Sequence, residues 1–173
     1  MGDLIIRTLE WLADKWHEYL SPYVIIRDYE GGVLLRLGKY NRNLHTGVNW
    51  KFPIIDEVHT VITTTNTFHV ANVNITTMGG ETISVGVIIE YDITDVKKYI
   101  LDVNDAESNA HDIARGVIAS CLTDYTWDDV KQKTTATVVK NKLKKQFDDM
   151  GMNIHQLIFG DIAKTRVFTI FRE

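Results

Sequence analysis

The chain has 173 residues, of which 45% are hydrophobic and 24% are charged, and its net charge at pH 7 is −4. This composition is typical of a folded globular protein of one domain or two small ones, and it excludes a largely disordered chain. The mild negative charge argues against a general nucleic-acid-binding protein, and the single cysteine excludes an internal disulfide.

The first predicted element is an amphipathic helix over residues 3–20. Its apolar face recurs at helical spacing and comprises Ile5, Leu9, Trp11, Leu12, Trp16 and Tyr19. Ser21-Pro22 ends the helix, because the residue before a proline disfavours the helical region. The face packs against protein or lies in a membrane interface, where Trp and Tyr side chains are favourable. We find no signal peptide and no apolar run of about 18 residues, so no transmembrane helix is predicted.

Residues 22–79 are predicted to form a β-rich subdomain. Short apolar runs alternate with turns, and residues 38–47 are predicted to be a polar loop. Pro53 indicates the end or the edge of a strand. Gly79-Gly80 is typical of a hairpin turn. A β-rich half of the chain gives way to an α+β half at this point, so the first subdomain is predicted to end there.

Residues 80–173 are predicted to form an α+β subdomain. Residues 83–93 alternate apolar and polar side chains with period two, which is the clearest strand pattern in the chain. Two apolar stripes at helical spacing follow, one through Cys121 and one that ends before Gly151, a typical residue after a helix. Residues 153–162 return to strand-like alternation.

No residue pattern in the chain predicts catalysis, a metal site or a cofactor site. Cys121 lies on the apolar stripe of its helix, where a free cysteine usually packs as a small hydrophobe. The six histidines include no pair at the i, i+4 spacing that metal ligands use on a helix. We therefore expect no enzymatic activity, no cofactor and no bound metal.

Two segments of opposite charge stand out. Residues 102–112 carry four acids and no Lys or Arg, whereas residues 131–145 carry six lysines and no acid. They are either solvated helix faces or complementary patches that meet across a head-to-tail subunit interface. The candidate interface residues are Asp102, Asp105, Glu107, Asp112, Lys140, Lys142, Lys144 and Lys145.

Four segments, in order along the chain, carry a resemblance to a known family. They are residues 30–40 (EGGVLLRLGKY), residues 45–58 (HTGVNWKFPIIDEV), residues 83–99, and residues 125–130 with the later Met150-Gly151-Met152 and Gly160-Asp161-Ile162. Together they resemble the SPFH or band 7 family, which includes stomatins, prohibitins, flotillins and the bacterial HflK/HflC pair. Thr46 stands where the family usually has a proline.

The resemblance implies an SPFH domain of α+β class with two subdomains. The predicted division is an amphipathic N-terminal helix over 1–21, a β-rich subdomain over 22–79 and an α+β subdomain over 80–173. Family members usually have an N-terminal membrane segment and a long C-terminal coiled coil. Here the predicted helix over 3–20 stands in the position of the N-terminal membrane segment, and the sequence ends at Glu173, so we expect a minimal version that assembles without the coiled coil.

The function that the resemblance implies is that of a non-catalytic, membrane-associated scaffold. Such a protein forms a homo-oligomeric ring, contacts a lipid surface, and organises membrane patches or regulates a membrane protease or another assembly protein. Its expected location is peripheral to a membrane inside the cell. The alternative is a ring or adaptor subunit of a larger soluble or virion assembly with no lipid role, and the partner of the apolar face of helix 3–20 decides between the two.

Overall fold

The computed structural model describes residues 21–165, which divide into two units between Thr63 and Thr64. This division differs from the boundary predicted at Gly79-Gly80. That turn lies inside the second unit, because the strands before and after it pair with each other. The mixture of strands and helices is the predicted α+β class, while the predicted helix over 3–20 lies outside the described residues.

The first unit is built from five short strands. They are β1 (Tyr23–Ile26), β2 (Glu30–Arg36), β3 (Lys39–Leu44), β4 (Gly47–Trp50) and β5 (Asp56–Ile62). β1 and β4 form an antiparallel two-stranded ribbon, and the other three form an antiparallel sheet in the order β3-β2-β5. Ile26, Leu34 and Leu44 form a buried cluster, against which Val24 and Val58 pack.

The prediction of a polar loop over residues 38–47 is wrong, because most of this segment is β3. The φ angles of Leu37 and Gly38 are 50° and 75°, and two successive positive φ angles are the geometry of a two-residue hairpin turn that sends β3 back along β2. Apart from Leu44, the side chains of β3 are exposed. A strand with this burial pattern has no apolar alternation, so its hydrophobic pattern does not distinguish it from a loop.

The second unit is a three-stranded sheet covered by helices. Its elements are β6 (Asn66–Thr76), β7 (Thr82–Ile93), a π-helical turn (Lys98–Asp102), α1 (Ala106–Thr123), α2 (Trp127–Val130), α3 (Lys133–Asp149) and β8 (Met152–Lys164). The sheet order is β6-β7-β8 and all pairs are antiparallel. α1 packs against β6 and α3, and α3 packs against β8.

The core of the second unit follows the predicted periodicities. In β7 every second residue from Ile83 to Ile93 is buried, which confirms the period-two prediction. Phe68 of β6 stacks on Phe147 of α3 with ring centroids 6.1 Å apart. Cys121 is fully buried on α1, as its place on the apolar stripe predicted.

Candidate interaction surfaces

The ribbon of β1 and β4 leaves one of its faces exposed. Tyr23 lies opposite Trp50 and Ile25 lies opposite Val48, so all four side chains are on the same face. Each of them is exposed, Trp50 for 70% of its surface. The opposite face carries Ile26, which is part of the core. Clusters of exposed apolar side chains of this kind indicate contact with a protein or with lipid.

The loop that follows β4 adds more exposed apolar side chains. Phe52 is exposed, and Ile54 is exposed for 89% of its surface. Ile54 also has a φ of 77°, a conformation that β-branched residues rarely adopt. The exposed Leu37 is tied to this loop, because its amide donates to the carbonyl of Ile55 at 2.8 Å. The fold therefore holds unfavourable backbone conformations in place at a surface where apolar side chains meet solvent.

A buried carboxylate fixes the conformation of this loop. Asp56 has a side chain that is inaccessible to solvent, and it accepts hydrogen bonds from Arg36 Nε at 2.7 Å and Nη2 at 3.0 Å. It also accepts from the amide of Phe52 at 2.8 Å, and the guanidinium lies over the Phe52 ring. The hydrogen bond from Arg36 is the main reason that the pKa of Asp56 is below its ordinary value. This network holds the loop in the shape that exposes Ile54.

The chain segment that carries most of these side chains is positively charged. Residues 37–55 include Lys39, Arg42 and Lys51 and contain no Asp or Glu, although the whole chain has a net charge of −4. Arg42 Nη2 donates to the carbonyl of Trp50 at 2.9 Å, which places this cation beside the ribbon. We call the exposed apolar set with these cations the apolar surface; its apolar members are Tyr23, Ile25, Leu37, Val48, Trp50, Phe52 and Ile54.

Sequence reasoning did not identify the apolar surface as a site. It assigned the contact with lipid or protein to Ile5, Leu9, Trp11, Leu12, Trp16 and Tyr19, all of which lie outside the described residues. A signal was present in residues 23–26, where four apolar residues follow one another. Such a run usually indicates a strand that is buried on both faces, but a strand in this ribbon has only one face on the core.

Three of the four predicted interface acids lie at or just before the start of α1, and Asp112 lies further along the helix. Asp102 ends the π-helical turn, and Asp105 caps α1 by accepting from the amide of Ser108 at 3.3 Å. Glu107 and Asp112 are exposed on α1. Burial, and then the negative charge of Glu107, raise the pKa of Tyr99, which lies nearby. This end of the helix is therefore an acidic surface of the second unit.

The four predicted interface lysines lie on α3. Lys142, Lys144 and Lys145 are exposed, whereas Lys140 is half-buried and donates from Nζ to the carbonyl of His155 at 2.6 Å. Within residues 21–165, no ion pair joins these lysines to the four acids of the first segment. The two patches are thus separate charged surfaces on two helices that pack together.

Neither a metal centre nor a membrane span is found in the part of the chain that the structure describes. Across residues 21–165 the His, Cys, Asp and Glu side chains form no group that could hold a metal ion. In the same residues no helix is both long and apolar enough to span a bilayer.

Comparisons with known proteins point to one family. The family model described as "SPFH domain / Band 7 family" matches residues 24–168. An uncharacterized protein of Methanocaldococcus jannaschii is 26% identical over 145 residues, which are 83% of this chain and 73% of that protein. HflK of Vibrio cholerae is 27% identical over 149 residues, or 82% of this chain and 37% of HflK.

A further relative has a name that states what it acts on. The protein of Escherichia coli K12 named "Modulator of FtsH protease HflK" is 23% identical over 145 residues, which are 80% of this chain and 34% of that protein. The chain thus spans only about a third of the length of the HflK proteins that it matches.

Proposed function

Since the chain belongs to the SPFH domain / Band 7 family, we propose that it is a non-catalytic scaffold subunit that binds a membrane surface and assembles with copies of itself. The observation that carries the membrane part of the proposal is the apolar surface of the first unit. It combines exposed Trp, Tyr and aliphatic side chains with cations and contains no carboxylate in residues 37–55.

Each component of the apolar surface suits a lipid interface. Trp50 and Tyr23 have an apolar body with a polar atom, which is favourable at the level of the lipid headgroups. Ile54 and Phe52 supply apolar area that can enter the boundary of the acyl chains. Lys39, Arg42 and Lys51 can pair with anionic headgroups, each for about 1 kcal/mol near the surface. In this proposal the helix that the sequence predicts over residues 3–20 contributes a second membrane contact.

Assembly is proposed to use the acidic and basic patches of the second unit. A ring needs a heterologous contact, in which one patch of each subunit meets a different patch of the next subunit. Asp102, Asp105, Glu107 and Asp112 would face Lys140, Lys142, Lys144 and Lys145 of the neighbour. Because a relative is named as a modulator of the FtsH protease, we propose a membrane protease or another assembly protein as the regulated partner.

A second candidate function follows from the same apolar surface. Apolar side chains such as Trp50 and Ile54 also occur where a subunit is covered by another protein. The chain would then be a ring or adaptor subunit of a larger assembly with no lipid role. The two candidates differ in whether the purified protein binds vesicles.

Flotation with vesicles tests the proposal. The wild-type protein is expected to float with vesicles of phosphatidylcholine containing 30% phosphatidylserine. Burying a side chain such as Ile54 is worth about 2 kcal/mol, so Ile54→Glu is expected to weaken binding by about 20-fold or more. Met78→Glu is the matched control, because Met78 is 79% exposed and lies in the second unit.

Three outcomes separate the possibilities. Release of Ile54→Glu with retention of Met78→Glu supports the apolar surface as the membrane contact. Release only by the double variant Trp11→Glu, Trp16→Glu would assign membrane binding to the N-terminal helix instead. A wild-type protein that never floats would contradict the membrane proposal and favour the assembly subunit without a lipid role.

A further inference from the structure

A groove of about 510 Å³ lies in the second unit between α3 and β8. Ala136 and Lys140 contribute to its helical side, and residues 155–159 with Ile162 contribute to its strand side. This volume is in the range of sites that hold small molecules or several residues of a peptide. The groove is separate from the apolar surface, which belongs to the first unit.

The strand side of the groove offers backbone hydrogen-bonding groups. β8 is the last strand in the order β6-β7-β8, and no strand among residues 21–165 pairs with its other edge. Alternate residues of such an edge present N–H and C=O groups that no strand satisfies. The carbonyl of His155, a residue that the register with β7 skips, accepts from Lys140 Nζ at 2.6 Å, so a side chain of α3 reaches the backbone of β8 here.

The charged side chains of the groove are basic, and the other side chains are apolar or neutral polar. Leu157, Phe159 and Ala136 supply the apolar lining. Lys131 and Lys140 supply positive charge, and no Asp or Glu belongs to the lining. Lys131 is held by a cation–π contact, with Nζ 4.4 Å from the centroid of the Trp127 ring. The groove is therefore complementary to a ligand that has both apolar groups and negative charge.

We propose that this groove binds an extended, acidic segment of a partner protein, which adds a strand to the edge of β8. Main-chain hydrogen bonds to β8 supply affinity in this mode of recognition, and pockets for alternate side chains supply specificity. Apolar side chains of the segment lie against Ala136 and Phe159, and a carboxylate lies near Lys131 and Lys140. The proposal is independent of membrane binding, because it uses other residues in the other unit.

A labelled peptide tests the proposal in solution. The probe is fluorescein-Thr-Glu-Val-Thr-Val-Glu-Leu-Thr, and its binding to the full chain is measured by fluorescence anisotropy. The same peptide with both Glu replaced by Lys is expected to bind at least about tenfold more weakly, because its lysines would face the two lysines of the groove. A version with N-methyl groups on all of its backbone amides is expected to lose binding, because neither of its edges can then donate hydrogen bonds to β8.

Two charge-matched variants locate the binding site. Lys131→Glu with Lys140→Glu is expected to reduce affinity for the acidic peptide about tenfold or more. Lys98→Glu with Arg115→Glu alters the net charge equally in the second unit, at exposed residues outside both the groove and the basic patch, and it is expected to change affinity by about twofold or less. In amide spectra of the ¹⁵N-labelled protein, the acidic peptide should shift residues 155–162 and Ala136 most.

The results that would overturn the proposal are distinct from those of the flotation experiment. Equal affinity for the acidic, basic and N-methylated peptides would exclude strand addition with charge selection. Equal losses in the two double variants would show a long-range charge effect and not a groove. If the variant Lys131→Glu with Lys140→Glu does not fold, the N-methylated peptide and the amide shifts of the wild-type protein still determine whether a strand is added to β8. None of these readouts depends on vesicles.

Discussion

Replacing Gly151 with alanine tests how the end of α3 is attached to the segment before the π-helical turn. Gly151 follows α3 with a φ of 78°, as predicted for a residue after a helix. Its carbonyl accepts hydrogen bonds from the amides of Thr94 at 2.9 Å and Asp95 at 3.1 Å. A Cβ at Gly151 would overlap the carbonyl oxygen of Asp95, so the backbone would have to move.

The expected loss of stability has two parts. The left-handed conformation disfavours a residue with a Cβ by about 1–2 kcal/mol. Moving the backbone away from Asp95 weakens the two hydrogen bonds to the Gly151 carbonyl, each of which contributes about 0.5–1.5 kcal/mol. Together these terms predict that Gly151→Ala lowers the free energy of unfolding by about 2–5 kcal/mol, a large part of the roughly 5–15 kcal/mol that is typical of a domain.

Gly80 provides a control with almost the same backbone conformation. Its φ is 76°, but no atom lies within 4 Å of the position that a Cβ would take. Gly80→Ala should therefore lose only the conformational term, about 1–2 kcal/mol. Urea unfolding followed by circular dichroism measures both variants as a shift of the midpoint at constant slope. Equal losses at the two glycines would refute the argument, because they would show that the contact with Asp95 adds nothing.

Two further predictions concern assembly and pH. Reversing the basic patch to Glu should lower the particle mass measured by mass photometry at moderate salt, and high salt should have the same effect on the wild type. Reversing the acidic patch to Lys in the same chain should partly restore the mass. An unchanged mass in the first variant would mean that the patches are only solvated faces. The substituted residues are Lys140, Lys142, Lys144 and Lys145, and then Asp102, Asp105, Glu107 and Asp112. Because the pKa of Asp56 is lowered in the folded state, its stabilisation is complete above the unfolded pKa of about 3.9 and is lost as pH falls through the folded pKa. Asp56→Asn removes this titration, so below about pH 4 the unfolding midpoint of the variant should fall less steeply with pH than that of the wild type. An unchanged pH profile would contradict the role of the Arg36 pair. The lowered pKa of Asp129 accounts for another part of the fall.

Local patterns in the sequence were sufficient for the core of the second unit. The alternation in residues 83–93 predicted β7, since a strand with one buried face places every second side chain in the core. The apolar stripe through Cys121 predicted α1, and Gly151 marked the end of α3. These features depend on residues near one another in the chain, so the sequence alone carries them. The family was also evident from the order of the segments.

Pairing between distant residues decided the features that the sequence did not predict. β3 is a strand because the turn at Leu37-Gly38 brings it to β2, although its own residues are polar and exposed. The division between the units falls at residue 63 because β6 pairs with β7 across the turn at Gly79-Gly80. Hydrogen bonds between strands depend on which segments meet, and hydropathy does not encode that choice.

Exposure of the candidate sites is likewise a property of the tertiary structure. The apolar residues of β1 and β4 have the composition of a buried strand, and only their pairing as a two-stranded ribbon leaves Tyr23, Ile25, Val48 and Trp50 on an open face. The groove beside β8 exists because β8 ends its sheet and α3 packs next to it. A sequence specifies which side chains are apolar or charged, whereas the packing of the elements determines which of them remain in contact with solvent, where a membrane or a partner can reach them.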